Sequence, residues 1–163
     1  MKSYLAAALL AGSAFVLTGC GDAPAPQAEA DSTGIDGLTI TDGKMVLNAV
    51  EGNPAAVYFQ LAYEGDRGLA IRSASVEGAQ SAMIHEYGDN QGKREMMEAL
   101  PITLSKGTEL AFEPGSRHVM AMGVSPDLKP GGTTDVTLTV SGGKSATFPV
   151  DIVAAGEAEE PED

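Results

Sequence analysis

From Leu38 to Val153 the chain is built of short apolar stretches punctuated by glycine and proline. Ala56 to Tyr63, Leu69 to Val76, Val136 to Val140 and Ala146 to Val153 alternate apolar with polar positions or are rich in branched residues. That two-residue period belongs to strands with one buried face. Turn signals separate them: Asp42-Gly43, Glu51-Gly52-Asn53-Pro54, Glu64-Gly65-Asp66, Glu77-Gly78, Gly88-Asp89-Asn90, Lys106-Gly107, Glu113-Pro114-Gly115, Lys129-Pro130-Gly131-Gly132 and Ser141-Gly142-Gly143. No stretch keeps the period of about 3.6 residues that an amphipathic helix needs. The pattern predicts an all-β domain, an antiparallel β-sandwich or barrel with little helix.

The ends follow other patterns. Leu5 to Leu17 is apolar except for Gly12 and Ser13, follows Lys2, and closes on Leu17-Thr18-Gly19-Cys20. A run this short does not span a bilayer as a permanent anchor, so it reads as a cleavable export signal. Its ending resembles the lipobox of bacterial lipoproteins, in which the cysteine is acylated and becomes the first mature residue. Residues 1–19 are then the signal peptide and Cys20 carries the lipid, whose paired chains suffice for stable anchoring. Residues 20–34 hold prolines and almost no large apolar side chain, as in a flexible tether. Residues 154–163 form an acidic tail expected to be disordered, which leaves 35–153 as the folded domain. The expected location is periplasmic or otherwise extracytoplasmic, on a membrane surface.

A formal charge of −13 over 163 residues removes nucleic acid and anionic lipid as partners recognised by charge. The single cysteine excludes an intramolecular disulfide and leaves the mature domain without a thiol nucleophile. No Gly-x-Ser-x-Gly, His-Glu-x-x-His or glycine-rich phosphate loop is present, so enzymatic readings are poor.

The chemistry concentrates elsewhere. The chain has two histidines, His85 and His118, and Met83, Met96, Met97, Met120 and Met122 lie in the same window. Methionines serving only to fill core gaps would be scattered among the leucines and valines. On a strand, side chains two apart share a face, so His118, Met120 and Met122 point one way and Arg117, Val119 and Ala121 the other. The same rule sets Met83 beside His85. If the two segments meet, they form a pocket of imidazole nitrogen and thioether sulfur without thiolate. Soft, uncharged sulfur favours Cu(I) over Zn²⁺, Mg²⁺ or Ca²⁺, and a blue-copper centre is excluded because it requires cysteine.

The spacing His85, ten residues, Met96, twenty-one residues, His118, one residue, Met120 resembles the H-x10-M-x21-H-x-M pattern of the periplasmic copper chaperone (PCuAC-like) family. The resemblance covers roughly residues 38–152 and includes His85-Glu86, His118 to Gly123 and the Leu128-Lys129-Pro130-Gly131 turn. It implies a cupredoxin-like Greek-key β-sandwich that holds one Cu(I) at an exposed end through His85, Met96, His118 and Met120. It also implies delivery of copper toward cytochrome c oxidase, alongside a thiol-bearing copper carrier. Met97 competes with Met96 for the sulfur position, but adjacent strand residues point apart and the spacing selects Met96. Met83 and Met122 read as auxiliary ligands or as pocket wall. Glu86, Glu95 and Glu98 read as solvated charges, any of which could orient an imidazole. Three alternatives share these residues: copper buffering, a metal-independent interaction module, and a zinc hydrolase built on the histidines and a glutamate.

Overall fold

The computed structural model describes residues 34–99 and 101–157, together with the short strand Ala30–Asp31. The expected signal peptide, the lipid-bearing Cys20, most of the tether and the tail beyond Glu157 lie outside the described residues. Eleven strands account for the domain: β1 (Ala30–Asp31), β2 (Leu38–Val46), β3 (Ala55–Tyr63), β4 (Leu69–Val76), β5 (Ser81–Asn90), β6 (Lys93–Glu98), β7 (Ile102–Leu104), β8 (Thr108–Phe112), β9 (His118–Met122), β10 (Thr133–Val140) and β11 (Ser145–Val153). No α-helix occurs among the described residues. The stretch expected to be wholly a tether contributes β1, which pairs with Thr39 and Ile40 of β2.

The strands form one continuous sheet in the order β6-β5-β9-β3-β2-β11-β10-β4-β7, and β8 prolongs the β9 edge of β3. Every pairing is antiparallel except β11 with β2, which run parallel through Asp151–Val153 and Lys44–Val46. The sheet closes on itself as a sandwich, because alternate residues of both halves enter one core. Ile84, Val57, Phe59, Val119 and Ala121 come from one side, and Ile71, Val136, Leu138, Phe148 and Val150 from the other. Phe59 is at the centre, stacked on Phe112 at 4.1 Å and edge-on to Phe148 at 5.1 Å. Each such pair adds about 0.5–1.5 kcal/mol beyond the area it buries.

Two expected turns are instead parts of strands. Asp42-Gly43 lies inside β2, where the register with β3 shifts between Thr41 and Lys44. Asp42 takes φ 57°, a left-handed conformation that aspartate tolerates, and the extra residues make a bulge. Gly43 is small for a packing reason: a Cβ there would stand 2.8 Å from Val150 Cγ1 and 3.0 Å from the Pro149 carbonyl oxygen. Gly88-Asp89-Asn90 likewise continues β5, whose ladder with β6 reaches Asn90 opposite Lys93. The chain reverses only at Gln91-Gly92, both with positive φ (56° and 82°), the two-residue geometry that suits hairpin twist.

Gly43→Ala is therefore expected to destabilise the domain by about 1–3 kcal/mol, the usual cost of overpacking. Urea unfolding measures it, and an unchanged midpoint would contradict the close approach of β2 and β11.

Candidate metal centre

Three strands bring the singled-out residues together. In the β5–β9 ladder His85 stands opposite His118, Met83 opposite Met120, and Ser81 opposite Met122. In the β5–β6 ladder Met96 faces Tyr87, Met97 faces Glu86, and Glu98 faces His85. Cross-strand partners share a face. His85, His118, Met83, Met120, Met122, Tyr87 and Met96 thus all project from the outer side of the sheet, with Ile84, Val119 and Ala121 pointing into the core.

Accessibility does not separate the two adjacent methionines, each 42% exposed, but facing does. Met96 Sδ lies 3.2 Å from His85 Nδ1. Met97 occupies the other side of the hairpin, with its methyl over Gly88. Bond lengths of the size known for zinc-bound nitrogen and sulfur, about 2.0 and 2.3 Å, put two ligands of a tetrahedral ion about 3.5 Å apart. Met96 and His85 are within a few tenths of an ångström of that separation.

His118 is on the outer face, yet only 5% of it is exposed. Aromatic rings supply the cover: His85 edge-on at 5.9 Å, Tyr58 of β3 at 6.2 Å and Tyr87 at 6.4 Å. Arg94 holds the hairpin over this cluster, stacking on Tyr87 at 4.8 Å and donating to the Gly115 carbonyl. Burial, followed by Tyr87, raises the Tyr58 pKa, so its hydroxyl stays protonated.

A tight turn sets the orientation of His118. Glu113-Pro114-Gly115-Ser116 closes with the Ser116 amide donating to the Glu113 carbonyl at 3.0 Å, and Gly115 has φ 76°. Proline followed by glycine with positive φ is the chemistry of a type II turn. The Ser116 carbonyl then lies 3.3 Å from His118 Nδ1. A carbonyl only accepts, so Nδ1 carries the proton and the Nε2 lone pair is left for a ligand. Burial lowers the His118 pKa below its ordinary 6.5, opposed by the Ser116 carbonyl and assisted by His85. The ring is neutral at neutral pH.

Glu86 and Glu95 are engaged by other side chains, while Glu98 stands exposed opposite His85. Glu86 forms an ion pair with Arg117 at 2.8 Å, and Glu95 accepts from Asn90 at 2.8 Å. A backbone carbonyl, not a carboxylate, orients His118. Among the described residues no group of three or more His, Cys, Asp or Glu comes together as a metal site. The arrangement therefore offers two imidazoles whose further ligands would be thioethers, which is chemistry for a soft monovalent cation. Sequence reasoning missed Tyr58, Tyr87 and Arg94, because their roles depend on strand neighbours and on the length of the hairpin.

A family model described as "Putative lipoprotein LpqE-like" matches residues 38–152. A curated relative from Leifsonia xyli subsp. xyli (strain CTCB07), described as "Putative lipoprotein Lxx21020", is 26% identical over 153 residues, covering 93% of this chain and 89% of the relative. Among solved structures, the apo PCuAC domain from PmoF1 superposes with a TM-score of 0.61 at 22% identity, covering 74% of this chain and 98% of that domain. The copper-bound PCuAC domain from PmoF2 gives 0.57 at 19% identity, covering 72% and 93%. At these identities the structural matches establish the fold, a PCuAC-type β-sandwich.

The His118 environment has a pH consequence. A pKa lowered on folding means that the unfolded chain takes up the proton first as pH falls. His118 thus contributes stability above pH of about 6.5 that is lost as pH drops below 6.5 and through the folded value. NMR titration of the metal-free protein should place His118 below 6.5, and a value at or above 6.5 would contradict the aromatic cover.

Proposed function

The chain belongs to the family described as "Putative lipoprotein LpqE-like", and from that membership and the geometry of the β5–β6–β9 face we propose that it is an extracytoplasmic copper carrier. It holds one Cu(I) through His85, Met96, His118 and Met120 and is anchored to a membrane by lipid on Cys20. The observation that carries this reading is the His85–His118 cross-strand pair with Met96 sulfur against the His85 ring. Met120 follows His118 on the same face and completes a set of two nitrogens and two sulfurs. The copper-bound state named for the PmoF2 domain, which has the same fold, supports copper as the cargo.

The ligands suit carriage. Neutral imidazoles and thioethers leave the single charge of Cu(I) in place, and such a set stabilises Cu(I) over harder ions. Met96 stands on an outermost strand of the sheet and is partly exposed, so an acceptor can reach the ion by displacing one thioether. His118, held by the Ser116 carbonyl and covered by rings, keeps its position during that exchange. Delivery runs toward assembly of the copper centre of cytochrome c oxidase, with a thiol-bearing carrier as exchange partner; this step rests on the PCuAC-like resemblance.

Anaerobic titration with Cu(I) against a competing chelator tests the site. One equivalent should bind, and His118→Ala should weaken it by more than the roughly 10–100-fold that loss of an outer partner of a ligand costs. Uptake well below one equivalent, or an unaltered affinity in His118→Ala, contradicts the proposal. Met96→Leu should weaken binding far more than Met97→Leu, since only Met96 shares the face of His85. Equal effects would refute the facing assignment. Under copper limitation, a strain lacking the protein should lose oxidase activity; normal activity with raised copper sensitivity would mean buffering instead.

A further inference from the structure

Beyond the four proposed ligands, the same sheet face carries two more thioethers, Met83 and Met122, beside Met120. Met83 is the cross-strand partner of Met120, and Met122 is the next residue of β9 on that face. Opposed Cβ atoms in an antiparallel pair are about 4.5–5.5 Å apart. Same-face neighbours along a strand are about 7 Å apart. Three unbranched side chains with several rotatable bonds can bring their sulfurs together from such positions.

Packing alone does not account for them. The inward positions of these strands are already filled by Ile84, Val119 and Ala121. Outward positions on the other half of the sandwich are mostly polar: Thr133, Asp135, Thr137 and Thr139 on β10, and Ser145, Thr147 and Asp151 on β11, with Pro149 and Val153 the exceptions. That is the ordinary alternation of a sheet with a solvated face. On β5 and β9 the corresponding outward places hold methionine, half-buried, and the β3 neighbour of Met120 is only Ala56.

We propose that Met83, Met120 and Met122 form a second, weaker position for Cu(I), overlapping the histidine site through Met120. The inference rests on the copper reading for the identity of the ion. Three thioethers are soft and uncharged, and with no imidazole among them they bind less strongly than the mixed set. Because both positions use Met120, they cannot be filled together, and the protein carries one ion at a time. Passage between them is ligand exchange alone. The bonds from copper to His85, His118 and Met96 break, those to Met83 and Met122 form, and that to Met120 persists. Copper remains Cu(I), and no proton or electron is exchanged. The methionine face is thus an entry or exit position running along β9 away from the histidines.

The test uses the full chain and Cu(I) with a competing chelator under anaerobic conditions. In His85→Ala/His118→Ala, one equivalent should still bind, weaker by roughly 100-fold or more. Adding Met83→Leu and Met122→Leu should abolish that residual binding. No residual binding in a folded double-histidine variant, or binding that survives the leucines, overturns the proposal. A second arm leaves the histidines intact. Met83→Leu/Met122→Leu alone should keep one-equivalent binding but slow release of Cu(I) to the chelator by about tenfold, and an unchanged release rate argues against the second position. Wild-type protein that takes up no Cu(I) overturns the copper reading and this inference together; wild-type binding with a failed variant series overturns this inference alone.

Discussion

The register between β5 and β9 is the constraint on which the outer face depends. Ile84 and Val119 are opposed and buried, and this sets His85 against His118 and Met83 against Met120. Because strand side chains alternate with a period of two, a slip of one residue by either strand would turn its own histidine into the core and expose its own Ile84 or Val119. The apolar residues thus choose the register, and the register assembles the imidazole–thioether cluster. Folding energy and site geometry are linked here through single positions: each core residue on these strands adjoins a candidate ligand.

The second requirement is a fixed imidazole in an otherwise exposed place. The sheet surface would leave His118 free to rotate and to protonate near its ordinary pKa. The Glu113–Ser116 turn supplies the carbonyl that holds its proton on Nδ1. Phe112 and Arg117 brace the base of that turn, with Phe112 stacked on the core ring of Phe59 and Arg117 tied to Glu86. From the other side the β5–β6 hairpin brings Tyr87, covered by Arg94. A firmly held histidine is therefore combined with the strand of Met96, β6, exposed at every position. One side of the cluster is firm and the other accessible, the balance a carrier needs if it is to hold an ion and still release it.

Much of this was legible in the sequence, for identifiable reasons. Strands such as β3 and β11 have clean alternation because one face packs and the other meets water. The facing of His118, Met120 and Met122 followed from the same rule. The signals that misled were local. Asp42-Gly43 and Gly88-Asp89-Asn90 have turn composition, but one is a bulge against Val150 and the other lies in a hairpin that reverses only at Gln91-Gly92. Turn-forming residues report tolerance of unusual backbone, and tertiary pairing decides whether a bulge or a reversal results. The aromatic cover was not legible, since Tyr58 reaches His118 only through β3–β9 pairing between distant segments. Membership of the lipoprotein family agrees with the export-signal reading, while Cys20 itself lies outside the described residues.

What distinguishes this face chemically is that imidazole nitrogen and thioether sulfur stand side by side, with no group of three or more His, Cys, Asp or Glu among the described residues. The most direct measurement is X-ray absorption at the copper K-edge of protein loaded with one equivalent of Cu(I). A cuprous edge is expected, with nitrogen of imidazole and sulfur both bound to the metal. Sulfur should diminish in Met96→Leu, and imidazole in His118→Ala. A spectrum with only nitrogen and oxygen neighbours, unchanged by either substitution, would contradict it.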